Sequence, residues 1–205
     1  MADKYRNFAD LERHEQSGVT YDIAVRRAQT AFAIVAPHGG GIEGGTSEIA
    51  DAVAGPEHSF YTFEGLKGSG NQELHITSTR FDEPMCVTLL GVSDVVVTIH
   101  GEEGEGEGEG VFVSGLDGPR SELITRVLKR EGFDAQPQSN PNLQGTEACN
   151  LCNRGLTAAG VQLELSKAVR QTLFESLTRE GRTHPTERFD VFVKALREAL
   201  STAIR

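Results

Sequence analysis

The sequence has only three cysteines, at positions 86, 149 and 152. An odd number excludes a closed disulfide framework and points to reduced thiols in a cytosolic setting. Lysine is scarce too: Lys4, Lys67, Lys129, Lys167 and Lys194 are the whole set, and arginine supplies the rest of the 20 basic residues. Against 30 acidic residues the net charge is −10. That sign excludes a general nucleic-acid partner, which needs clustered Lys and Arg. An acidic, lysine-poor surface suits a salt-rich interior or simply keeps a protein in solution. No run approaches the roughly 18–20 apolar residues of a membrane span, so no membrane partner is expected. The opening Met-Ala-Asp-Lys-Tyr-Arg-Asn lacks the basic-then-apolar plan of a secretory signal. The expectation is an unprocessed, cytoplasmic chain.

What is present is an alternation of strands and helices over 205 residues, long enough for one buried core. It predicts a single α/β domain spanning 1–205, a mixed, mostly parallel sheet flanked by helices. Strands are expected at 30–36, 59–63, 94–99, 111–113 and 161–165, with another at Leu74–Thr77. Helices are expected at 48–53 with Ser47 as N-cap, 83–90, 119–131 with Gly132 past its end, 166–177 and 186–204. Residues 136–145 read as a long loop. Residues 101–110, GEEGEGEGEG, combine like charges with glycine and are expected to be flexible.

Chemistry-bearing residues collect at strand ends, where open α/β sheets place their sites. In APHGGGIEGGTSE, His38 follows an apolar strand and Glu43 comes five residues later, with glycines between that let the backbone fold tightly. The strand DVVVTI opens in the same way onto His100-Gly101. Two imidazoles and a carboxylate are the protein ligands of a catalytic zinc with an open fourth position, although the set suits several divalent ions. The strand VQLEL brings Glu164 to a third strand end, on the same face as Gln162. Beside an activated water, such a carboxylate is a candidate acid–base group. His75 could lie near the pocket and contact substrate. The C-x-x-C pair Cys149/Cys152 has no second pair to complete a zinc site and is read as ordinary.

The segments APHGGGIEGGTSEIA, ELHITSTRFDEP, VVVTIHG, CNLCNRG and GVQLELS resemble, in this order, those of the poly-γ-glutamate hydrolases of bacteriophages and bacilli. The resemblance implies a zinc-carboxypeptidase-like fold, one zinc ion on His38, Glu43 and His100, and Glu164 as acid–base group. It implies cleavage of γ-glutamyl amides, with poly-γ-glutamate as the substrate partner and release by host lysis if the chain is phage-encoded. In zinc carboxypeptidases an Asn-Arg pair holds a substrate carboxylate, which Asn153-Arg154 would match unless Arg154 is an ordinary surface residue. Relatives carry an arginine where this chain has Leu116-Asp117, and Arg120 is the candidate substitute. Two rival functions remain open at this stage: hydrolysis of small N-acyl amino acids, and a metal-stabilised binding module without hydrolysis.

Overall fold

The computed structural model describes residues 3–102, 108 and 110–202. Seven strands form one sheet in the order β1-β3-β2-β4-β7-β5-β6. They are β1 (Tyr21–Arg26), β2 (Phe32–Gly40), β3 (Ser59–Gly65), β4 (Val95–Glu102), β5 (Gly110–Ser114), β6 (Asp134–Pro137) and β7 (Val161–Ser166). The central strands β3, β2, β4 and β7 run parallel; β1 pairs antiparallel with β3, and β5 antiparallel with β7. The mixed, mostly parallel sheet expected from the sequence is therefore present. Six helices flank it: α1 (Phe8–Leu11), α2 (Thr46–Ala54), α3 (Pro84–Leu90), α4 (Gly118–Arg130), α5 (Lys167–Leu173) and α6 (Glu187–Ser201). Among the described residues no helix is long and apolar enough to cross a membrane.

Strand periodicity divides the apolar residues between two cores. Ile34, Ala36, Val97, Ile99, Val161, Leu163 and Leu165 face one side and pack with residues of α2, α4, α5 and α6. Ala33, Val35 and Val96 face the other and pack with Tyr5, Phe8, Leu11, Phe81 and residues of α3. The second face changes character toward the carboxyl ends of the strands. There Val96 is succeeded by Thr98 and His100, and in β7 the same face carries Gln162 and Glu164.

His38 would fall on the opposite face by simple alternation from Ala36. A one-residue register shift between Ala36 and Gly39, against β3, turns it over. His38 consequently meets Phe81, with ring centroids 6.4 Å apart, and His100 at 5.0 Å. The bulge is what lets two adjacent parallel strands deliver both imidazoles to one point.

Several local expectations are corrected. Ser47 does not cap α2: the helix begins at Thr46 after Gly45, whose φ is +101°. The Ser47 hydroxyl instead accepts the Gly40 N–H at 3.1 Å. Leu74–Thr77 is not a strand. A 3₁₀ turn occupies Asn71–Leu74, and the following backbone bonds side chains in place of a ladder, Ile76 O with His38 and Thr77 N–H with Asp3. Strands β1 and β6 add edges not among the expected strands; β6 overlaps the expected loop only at 136–137 and ends on Pro137, where an edge tolerates proline. The helix expected at 166–177 ends at Leu173, with Ser166 as its N-cap. In the Gly/Glu loop, residues 103–107 and 109 lie outside the described residues, as do residues 203–204 of the expected last helix.

Candidate metal centre

Three of the expected residues converge. His38 Nδ1 lies 3.0 Å from Glu43 Oε1 and 3.2 Å from His100 Nδ1, and His100 Nδ1 lies 3.7 Å from a Glu43 oxygen. All three are buried. The glycine-rich turn after β2 brings Glu43 back, its N–H bonded to His38 O at 2.9 Å. Its second oxygen accepts the Gly101 N–H at 2.8 Å, tying the turn to the end of β4.

Hydrogen bonding bears on what this cluster could hold. His38 Nε2 donates to Ile76 O at 2.9 Å, and a carbonyl can only accept. In the neutral imidazole the Nδ1 is then a lone pair, and it faces a carboxylate oxygen. Two acceptors at this distance need a cation between them, a proton or a metal ion. Four ligands around a tetrahedral ion with bonds of roughly 2.0–2.2 Å stand roughly 3.3 Å apart, and the observed donor separations bracket that value. His100 Nε2 lies 3.3 Å from Ser78 Oγ, a hydroxyl that can donate or accept and so holds the ring in either tautomer. Such partners orient ligating imidazoles. The donor set therefore fits a divalent ion bound by His38 Nδ1, His100 Nδ1 and Glu43. Burial alone would raise the Glu43 carboxyl, but the imidazoles of His38 and His100 reverse this and hold it well below the usual carboxylate range.

Glu164 stands beside this cluster, paired in register with His100 across β4 and β7. It is 5% exposed, and Gln162 Nε2 donates to its Oε1 at 3.0 Å. Burial, and then the Glu43 charge, push its carboxyl well above the usual range. A carboxyl poised in this way can hold or accept a proton near neutral pH.

His75 also reaches the cluster. Its ring centroid lies 4.0 Å from that of His38, and donor atoms of His38, Glu43 and His75 all lie within 4.8 Å of one another. Its Nδ1 donates to Asp3 Oδ1 at 2.7 Å, which leaves Nε2 available. Burial, with the neighbouring His38, pushes its pKa down to about 4, so the ring is neutral at pH 7.

Of the remaining expected substrate contacts, Arg120 lies away from the cluster, while Asn153 and Arg154 are bonded to backbone carbonyls, Arg154 to that of Ser78 beside His100. Arg120 pairs with Asp117 at 3.0 Å and lies 4.8 Å over the Phe32 ring. Phe32 opens β2, so Arg120 sits at the opposite end of the sheet from His38. Asn153 uses its whole amide on backbone: Nδ2 donates to Gly145 O and Glu147 O, and Oδ1 accepts from Gly160 and Leu116. Arg154 donates to four carbonyls, those of Cys149, Phe81, Ser78 and Thr79, at 2.6–3.2 Å. It pins the segment that carries Ser78. Arg154→Ala should therefore lower stability by about 1–3 kcal/mol, the range for orphaned buried carbonyls, without a selective change in KM. Thermal melts and KM for a glutamyl polymer check this; a raised KM at unchanged stability would restore the clamp. Cys149 is exposed and Cys152 buried, both as free thiols.

Fold and side-chain cluster together define a class: an α/β domain with a His/Glu cluster that could hold a cation at the carboxyl edge of its sheet and a buried glutamate beside it. The sequence profile described as poly-gamma-glutamate hydrolase matches residues 5–195. The chain belongs to that family. It is similar to YoqZ, an SPbeta prophage-derived protein of Bacillus subtilis (strain 168), at 41% identity over 182 residues, 88% of this chain and 65% of YoqZ. The chain thus spans just under two thirds of that relative. The structure of a bacteriophage poly-gamma-glutamate hydrolase superposes with a TM-score of 0.94 at 35% identity, covering 98% of this chain and 97% of the other. YNDL-apo (Zinc-free) superposes at 0.91 and 35% identity, covering 97% and 98%.

Proposed function

We propose that this protein is a zinc-dependent hydrolase of γ-glutamyl amide bonds and that poly-γ-glutamate is its substrate. The observation that carries the reading is the convergence of the His38 and His100 Nδ1 atoms, 3.2 Å apart, on the Glu43 carboxylate, whose Oε1 lies 3.0 Å from His38 and Oε2 3.7 Å from His100, beside Glu164. The family membership supports the reaction class, and the zinc-free designation of one structural neighbour supports the metal.

His38 and His100, through Nδ1, and Glu43 would hold the ion. Zinc supplies Lewis acidity there, making water nucleophilic near pH 7 and polarising a carbonyl. Glu164 takes the proton of the attacking water on its carboxylate and delivers it to the leaving amine nitrogen. Its buried setting raises its proton affinity for that transfer. Gln162 Nε2 holds one Glu164 oxygen and so directs the other toward the pocket. His75 offers a neutral Nε2 lone pair to a substrate N–H. One zinc per chain is expected.

Purified protein should contain about one zinc, and chelation should abolish poly-γ-glutamate hydrolysis until zinc is restored. Salt gives a further expected outcome. The chain carries a net charge of −10 and would repel a polyanion, so hydrolysis should rise with salt from low ionic strength as screening sets in. Zinc without polymer cleavage at any salt would move the reading to small N-acyl amino acids. Absence of bound metal with full activity in chelator would overturn it.

A further inference from the structure

Asp3 lies ahead of α1, far in sequence from every proposed ligand, yet its side chain is only 3% exposed. Both carboxylate oxygens face one short segment. Oδ1 accepts from His75 Nδ1 at 2.7 Å; Oδ2 accepts from the Thr77 N–H at 2.8 Å and the Thr77 hydroxyl at 2.7 Å. The Arg80 guanidinium completes the set. Four donors on two oxygens demand a carboxylate. An asparagine would offer one acceptor and turn an NH₂ toward donors.

The other side of the same segment serves the metal centre. Ile76 O receives the His38 Nε2 proton at 2.9 Å, and Ser78 Oγ lies 3.3 Å from His100 Nε2. Residues 77 and 80 thus face Asp3, 76 and 78 bond the histidines, and His75 touches both Asp3 and the His38 ring. The Phe8 N–H, donating to Asp82 at 2.7 Å, ties α1 to the segment's far end. Partners on the second nitrogen of a ligating histidine set its ring orientation and basicity, at roughly 10–100-fold in metal affinity.

Resting on the metal-centre reading above, we propose that Asp3 is a positioning residue for the ion. By gripping one side of residues 75–80 it holds Ile76 and Ser78 where they aim both Nδ1 atoms at Glu43. The N-terminal segment is then part of the site, and the 72-residue separation between Asp3 and His75 is bridged by a single carboxylate.

The test compares Asp3→Asn, Ser78→Ala and the double variant with wild type, reading zinc affinity by chelator competition and the melting of the metal-free protein. Asp3→Asn should weaken zinc binding about 10–100-fold while the metal-free protein still melts cooperatively. Because part of the Asp3→Asn effect runs through the same His100 Nε2 contact that Ser78→Ala removes, the double variant should lose less affinity than the product of the single losses. Thr77→Val removes one of the four Asp3 bonds, keeps the segment and should weaken zinc several-fold even where Asp3→Asn does not fold. Wild-type zinc affinity in Asp3→Asn, or independent losses that multiply, would overturn the proposal. Wild-type protein that binds no zinc would overturn the metal-centre reading itself.

Discussion

Glu164→Gln should abolish hydrolysis and, in the metal-free protein, raise stability as the pH is taken up to neutral. The catalytic half follows from the role assigned to the side chain. Gln keeps the shape and can still meet Gln162, but it cannot take a proton from water. Loss of a general acid–base group costs about 10²–10⁴-fold in rate, while zinc affinity should change little. The stability half follows from burial. The Glu164 carboxyl sits well above its usual 4.5 because burial and the Glu43 charge disfavour ionisation. A group whose folded-state pKa is raised stabilises the fold fully below its unfolded pKa. That contribution is lost as pH rises through the folded value. Wild type should therefore lose stability relative to Glu164→Gln as the pH rises above the usual carboxyl value of 4.5 toward the raised folded-state value, and the gap between their melting points should widen over that interval. A gap independent of pH would mean that Glu164 is not charged at a cost in the fold. Retained hydrolysis in a zinc-loaded Gln variant would remove it from the chemistry.

The convergence of His38, Glu43 and His100 was legible because glycine-rich junctions after apolar strands leave a strong mark. Glu164 was legible through strand alternation, which puts it with Gln162 on one face of β7. The groups that aim these residues left no comparable mark. Ile76 acts through its carbonyl, which any residue possesses, and Ser78 acts through a hydroxyl in an irregular segment. Asp3 becomes relevant only when the chain has folded across the sheet. The same limit explains Arg154 and Asn153. Side-chain type suggested carboxylate recognition, but in the fold the backbone carbonyls of 78–81 and 145–149 claim their donors first. Arg120 was misplaced because β5 runs antiparallel to β7 and so starts α4 at the amino-terminal end of the central strands, a topological fact without a local signal. Edge strand β6, four residues ending on proline, carries little apolar alternation; β1 does alternate, Tyr21, Ile23 and Val25 against Asp22, Ala24 and Arg26, and was overlooked.

Arg170 carries the largest expected effect on stability. It is fully buried, at 0% exposure on α5. Its guanidinium donates to Leu165 O at 3.2 Å, Gly44 O at 2.9 Å and Glu102 O at 3.1 Å. Each carbonyl adjoins a residue of the site: Gly44 follows Glu43, Glu102 stands two past His100, and Leu165 follows Glu164. One planar fork thus joins the three segments that bring the site together, a geometry lysine cannot reproduce. It also accounts for Gly101, where a Cβ would fall 2.6 Å from the guanidinium carbon. Arg170→Met fills similar space but leaves these carbonyls without their donor inside the protein. The expected loss is about 3–5 kcal/mol, as for breaking a buried charged network, read from urea unfolding of the metal-free protein. Zinc affinity should fall with it, because the Glu43 turn is no longer tied to β4 and β7 from beneath. Arg170→Lys should recover only part of the stability, since an ammonium cannot span three diverging carbonyls. Should Arg170→Met unfold within about 1 kcal/mol of wild type, water must satisfy those carbonyls, and the three segments would owe their alignment to the sheet alone.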